Sequence, residues 1–121
     1  MQYLLLIYHN EAQTAATPPG AMTPLFAEYF AFTRAIQTSG NWIGGNRLEP
    51  TSTATTVRIR EGKRSVTDGP FAETKEQLGG YYLVEAKDLD EAIELAARIP
   101  GARFGSVEVR PVPPMPTAPP A

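Results

Sequence analysis

The chain has 121 residues, one histidine, no cysteine, a formal net charge of −2 and a pI near 5.4. Its length suits one domain. The lack of cysteine excludes disulfides, thiolate nucleophiles and cysteine-ligated metal centres, and the slightly acidic balance offers no clustered basic face for nucleic acid.

The first apolar run, Gln2 to Tyr8, places Tyr3, Leu5 and Ile7 on one register and Leu4, Leu6 and Tyr8 on the other. That pattern predicts a strand buried on both faces. The run is far shorter than the ~20 residues of a membrane span and has no basic segment before it, so a soluble, cytoplasmic chain is expected. His9 to Gly20, polar and ending in Pro18-Pro19-Gly20, predicts a loop. Thr23 is the expected cap of a helix with Pro24 at its first position. The stripe Leu25, Phe26, Tyr29, Phe30, Phe32, Thr33 and Ile36 recurs at helical spacing and should lie on a sheet, with Gly40 just past the end.

Trp42 to Leu48 predicts a short strand with a bulge or a close backbone approach at Gly44-Gly45. Thr55 to Arg60 and Arg64 to Thr67 flank Glu61-Gly62-Lys63 and predict a hairpin. Asp68-Gly69-Pro70-Phe71 reads as a turn, and Gly79 to Glu85 as a second strand apolar on both faces. Asp88 and Glu91 have capping-box spacing ahead of a short helix whose buried stripe is expected at Leu89, Ile93, Ala96 and Ala97. Ser106 to Val112 alternates as a last strand. Residues 1–112 therefore form the expected domain. Residues 113–121, with prolines at 113, 114, 116, 119 and 120, form an extended tail that cannot pair in a sheet.

This order predicts an α+β class: a ferredoxin-like βαββαβ domain with an inserted β-hairpin. Two helices cover only one face of a four-stranded sheet. The two strands apolar on both faces would leave leucines and tyrosines in water, and such a patch marks an interface. The expected cover is a second copy, giving a homodimer that closes a dimeric α+β barrel; the competing cover is the hairpin folded back over the sheet.

Together with the opening YLLLIY, the text from Thr53 to Pro100, and above all Val66 to Tyr82 (VTDGPFAETKEQLGGYY), resembles the DGPF-motif branch of the YCII-related family over roughly residues 1–112. The resemblance implies a dimeric α+β barrel. It also implies small bacterial proteins, some encoded beside alternative sigma factors, mostly without an assigned reaction. Some relatives in the wider family resemble small-molecule enzymes, including a dehydrochlorinase with a His–Asp pair whose histidine lies near the start of the first helix. Ala21 to Tyr29 contains no histidine here, so that dyad is not intact.

The candidate catalytic residues are Asp68 and His9. Asp68 reads either as a carboxylate at a cleft mouth, able to act as base, or as a side chain that caps its own turn; Phe71, beside it, is expected to plug inward. His9 ends a central strand, where binding residues collect, but no oriented partner is visible and Glu11 is near but alone. Arg58 shares a strand face with Arg60 and suits an anionic ligand group, or alternatively a solvated face paired with glutamates; Arg47 and Arg110 also lie on strands. Tyr8, Trp42 and Tyr81, with Phe71, are the candidate ligand-lining aromatics, or else core and interface. No metal-ligand cluster or phosphate loop is present, and no cofactor is expected. Two functions follow: a homodimeric small-molecule-binding or accessory module, or a cofactor-independent enzyme of lyase or isomerase type acting on an aromatic or carbonyl compound.

Overall fold

Strand β1 (Gln2–His9) has apolar side chains on both registers and no proline or glycine, and it takes a central place in a four-stranded antiparallel sheet. The structure, a computed structural model, describes residues 1–117. After β1 come α1 (Glu11–Ala15), α2 (Thr23–Thr38), β2 (Trp42–Arg47), the hairpin β3 (Thr55–Arg60) and β4 (Lys63–Asp68), β5 (Gln77–Glu85), α3 (Leu89–Arg98) and β6 (Ser106–Val112). The sheet order is β2-β5-β1-β6, with β3 and β4 forming a separate two-stranded sheet. This is the ferredoxin-like arrangement with a hairpin inserted between its second and third sheet strands. The two strands apolar on both faces are the two central ones, as expected.

The register sorts side chains by face. Leu5 lies opposite Tyr82 on one side and Val109 on the other, while Leu6 lies opposite Tyr81 and Glu108. The Leu5 face carries the core: Leu5, Ile36, Val84 and Ile99 are fully buried, and Phe32 meets Tyr82 edge-to-face at 5.2 Å. The long helices α2 and α3 both pack there. On the reverse face, Leu4, Leu6, Tyr81 and Leu83 are only half-buried. The hairpin does not cover them. It is hydrogen-bonded to neither edge of the main sheet, and Val57, Ile59 and Val66 stay 57–65% exposed. Its turn is tight because Glu61 and Gly62 both have positive φ, 53° and 75°, the twist that matches paired strands.

Several local expectations need correction. The stretch His9 to Gly20 is not all loop: Asn10 caps α1, its side chain accepting the Gln13 N–H at 3.0 Å. Asn10 and Gln13 stand at capping-box spacing, a signal too local for periodicity to show. Thr23 does not cap α2 but is its first residue, after a Met22 that makes no side-chain cap. The stripe on α2 splits: Phe32 and Ile36 are buried, whereas Phe30 is 75% exposed; Leu25, Phe26, Tyr29 and Thr33 border a cavity. In α3 the buried residues are Ala92, Leu95 and Ala96, and Leu89 and Ile93 point outward. Phe71 plugs into nothing and is 78% exposed, since residues 71–76 leave the hairpin without regular structure. Residues 113–117 carry no helix or strand; the rest of the expected tail lies outside the described residues.

Asp88 caps α3 as expected. Its carboxylate accepts the Glu91 N–H at 2.9 Å, and Glu91 Oε1 in turn accepts from Lys87 N and Asn41 Nδ2. Asp88→Ala removes the cap and should cost about 1 kcal/mol, read as a lower urea midpoint at unchanged slope.

Candidate functional site

A cavity of about 610 Å³ opens between the first half of α2, the α1 segment and one end of the sheet, where β1 and β2 finish and β5 begins. Local sequence makes this room. The β1–β5 register shifts between Ile7 and Tyr8, and β5 carries Gly79-Gly80 near its start, which place no side chains on the floor. Gly45 is equally constrained, since a Cβ there would lie 2.8 Å from the Tyr81 carbonyl oxygen.

His9 sits on that floor. Its ring fills the space over Gly79: a Cβ at Gly79 would lie 2.5 Å from both His9 Cδ2 and His9 Nε2. On the other side, His9 Nδ1 is 2.8 Å from Thr14 Oγ1, and the Thr14 hydroxyl donates its one proton to the Asn10 carbonyl at 3.1 Å. With that bond made, Thr14 Oγ1 is left to accept from the ring, the role that the Nδ1–H tautomer fills. Nε2 has no hydrogen-bond partner among the described residues. The adjacent Glu11 carboxylate is engaged elsewhere, accepting from Thr51 N at 2.9 Å and Thr51 Oγ1 at 2.7 Å.

Aromatic side chains form the walls. Trp42 and Tyr82 meet edge-to-face with centroids 5.9 Å apart; Tyr82 and Thr33 share a hydroxyl bond of 2.8 Å. Tyr29 Oη accepts the Gly101 N–H at 3.1 Å. Burial pushes both phenols, Tyr29 and Tyr82, above the usual tyrosine range, because the cavity wall disfavours the phenolate. For each, the folded-state pKa exceeds the unfolded value of about 10. Their contribution to stability is therefore complete below about pH 10 and is lost as pH rises through the folded values. Thermal melts between pH 8 and 11 should show a plateau and then a fall that Tyr29→Phe/Tyr82→Phe reduces.

One positive charge stands at the rim. The Arg47 guanidinium lies over the Phe26 ring, 5.0 Å from its centroid, and pairs with no carboxylate among the described residues. Arg47 and His9 flank β5 on opposite sides, opposite Gly80 and Gln77, so two strand spacings of about 4.8 Å separate their backbones laterally.

Of the residues singled out from sequence, His9, Trp42 and Tyr81 border this cavity, and Asp68, Arg58, Tyr8 and Phe71 do not. Asp68 ends β4 opposite Thr55, fully on the surface. It accepts no hydrogen bond from its own turn among the described residues; the turn is held instead by Gly69 N–H to the Ala54 carbonyl and by Thr56 Oγ1 to the Gly69 carbonyl. Arg58 Nη2 reaches the Phe71 carbonyl at 3.4 Å and ties the hairpin to the loop after it. Tyr8 alternates to the reverse side of β1. Thr14, Tyr29 and Gly79 shape the site and were not singled out from sequence.

The fold is a ferredoxin-like α+β sheet with an aromatic-walled cavity at one end and an oriented histidine on its floor. The chain belongs to the YCII-related domain family, whose model matches residues 1–116. It is 40% identical over 114 residues to an uncharacterized protein of Rhizobium meliloti (strain 1021), covering 93% of this chain and 92% of that one. Its fold is similar to that of 5-chloro-2-hydroxyhydroquinone dehydrochlorinase from Burkholderia phenoliruptrix, solved in complex with 2,5-dihydroxybenzoquinone, with a TM-score of 0.51 at 15% identity over 93% of this chain and 94% of that one. No helix among the described residues is long and apolar enough to cross a membrane.

Proposed function

We propose that this chain binds a compact ring-shaped molecule in the cavity between α2 and the sheet. The carrying observation is the cavity itself. Its volume, about 610 Å³, falls in the range of small-ligand sites, and its apolar walls with a few convergent polar groups are what such sites show. The fold neighbour's bound dihydroxybenzoquinone is a molecule of this class. Trp42 is the chain's one tryptophan and borders the cavity, so it reports occupancy directly. Titrating aromatic acids, phenols and quinones against Trp42 fluorescence should give saturable quenching at one equivalent, matched by a thermal shift that grows as RT ln(1 + [L]/Kd). Flat responses to the whole panel would reject the reading.

The functional unit in this proposal is a homodimer, the two reverse sheet faces packed together into an α+β barrel. The exposed apolar strip of the hairpin and the half-covered leucines of β1 and β5 support it. Asp68-Gly69-Pro70-Phe71 supports placing the chain in the DGPF-motif branch, with those residues shaping the hairpin's exit rather than the cavity.

A further inference from the structure

Resting on the cavity reading, we infer that His9 Nε2 is the proton-accepting atom of this site and that the ligand it selects is a planar ring bearing an acidic hydroxyl, a phenol or a cyclic enol. Thr14 is the positioning residue.

Three features lead to this. The ring is held at both edges: Thr14 Oγ1 engages Nδ1 at 2.8 Å, and the bare backbone of Gly79 gives the Cδ2–Nε2 edge its seat. The Thr14 hydroxyl has spent its proton on the Asn10 carbonyl, and the role left to the ring is filled by the tautomer with its proton on Nδ1 and its lone pair on Nε2. A histidine whose far nitrogen is fixed by a hydrogen bond, leaving the near one basic, is the arrangement a general base needs. Finally, no described carboxylate competes for the ring, since Glu11 is bound to Thr51. An unpaired acceptor among aromatic walls selects a flat ligand that brings a donor. A ring hydroxyl meets both demands, whereas a carboxylate ligand would face the lone pair with its own.

The step balances without a further reactant. The ligand O–H breaks as the Nε2–H bond forms, leaving a ring oxyanion beside an imidazolium whose Nδ1–H stays on Thr14. Arg47 adds positive charge at the same cavity's rim.

The probes are 4-nitrophenol and its methyl ether, 4-nitroanisole, which match in shape and differ in the hydroxyl. Calorimetry on the full chain should give at least about tenfold tighter binding of the phenol, the usual worth of a hydrogen bond that develops charge. Its phenolate absorption band should grow on binding. His9→Asn should bring the phenol down to the ether's affinity and abolish the band, with ether binding retained as proof that the cavity still forms. Thr14→Val should weaken the phenol preference and Thr14→Ser restore it. Nitrogen NMR of the neutral ring should show the proton on Nδ1. Equal binding of phenol and ether by the wild-type chain, a preference that survives His9→Asn, or a proton found on Nε2 would each overturn the assignment while leaving the cavity reading in place. Failure of both probes to bind would overturn this assignment, and the cavity reading falls with it only if the wider Trp42 titration is also flat.

Discussion

Gly79→Ala should empty the cavity floor of its histidine while leaving the sheet standing. The added Cβ would lie 2.5 Å from His9 Cδ2 and Nε2, closer than carbon and nitrogen tolerate. What it meets is the end of a side chain, and Gly79 does not need a positive φ, so the backbone has no reason to move. The ring swings off Thr14 instead. The stability cost is about that of one hydrogen bond, roughly 1 kcal/mol, but the proton acceptor is displaced from the ligand. The expected result is a Tm within a few degrees of wild type together with loss of the tenfold preference for 4-nitrophenol over its ether. Retained preference with an unmoved His9 ring resonance would show that the ring does not depend on Gly79. The contrast is Gly105, where a Cβ would fall 2.0 Å from the Tyr8 carbonyl oxygen. Alanine there presses backbone on backbone between β1 and β6, and unfolding rather than a selective loss is the expected outcome.

The parts of this molecule that were legible in its sequence are those where one stretch of residues reports its own surroundings. Gln2–Tyr8 and Gly79–Glu85 carry apolar side chains on both registers because a central strand meets material on both faces, and that is where the sheet puts them. Trp42–Gly44 shows its bulge through its glycines. The site is different because its contacts join segments far apart in the chain. His9 could be singled out for its place at a strand end, but its partners could not. Thr14 lies five residues on, across a strand-to-helix junction that follows neither period, and Gly79 lies on another strand 70 positions away. Asp68 lies away from the cavity for a different reason. A specific motif shows that its residues are constrained, and here the constraint belongs to the exit of a hairpin, where Gly69 takes a φ of 95°. The aromatic stripe of α2 was visible as a stripe, but a helix that half covers a core and half roofs a cavity carries the same apolar residues along its whole length.

The two faces of β1 make opposite predictions for neighbouring leucines. Leu5 is fully buried between Tyr82 and Val109, with close-packed neighbours that cannot collapse into the space an alanine leaves. Leu5→Ala should cost about 3 to 4 kcal/mol, a large share of the roughly 5–15 kcal/mol available to a domain of this size, and urea unfolding at fixed protein concentration will show it. Leu6, one residue on, lies between Tyr81 and Glu108 on the reverse face and is only half-buried within one chain. Leu6→Asp should therefore leave the single chain folded, because the new carboxylate remains solvated. In the proposed dimer the same carboxylate would be pressed against its two-fold mate in an apolar seam, where an unpaired buried charge is strongly unfavourable. Sedimentation equilibrium should find the wild-type chain at twice its 13.1 kDa and Leu6→Asp at the single-chain mass, with Leu5→Ala still paired wherever it is folded. A wild-type chain that sediments as one copy, or a Leu6→Asp protein that stays paired, would take the reverse face out of the interface.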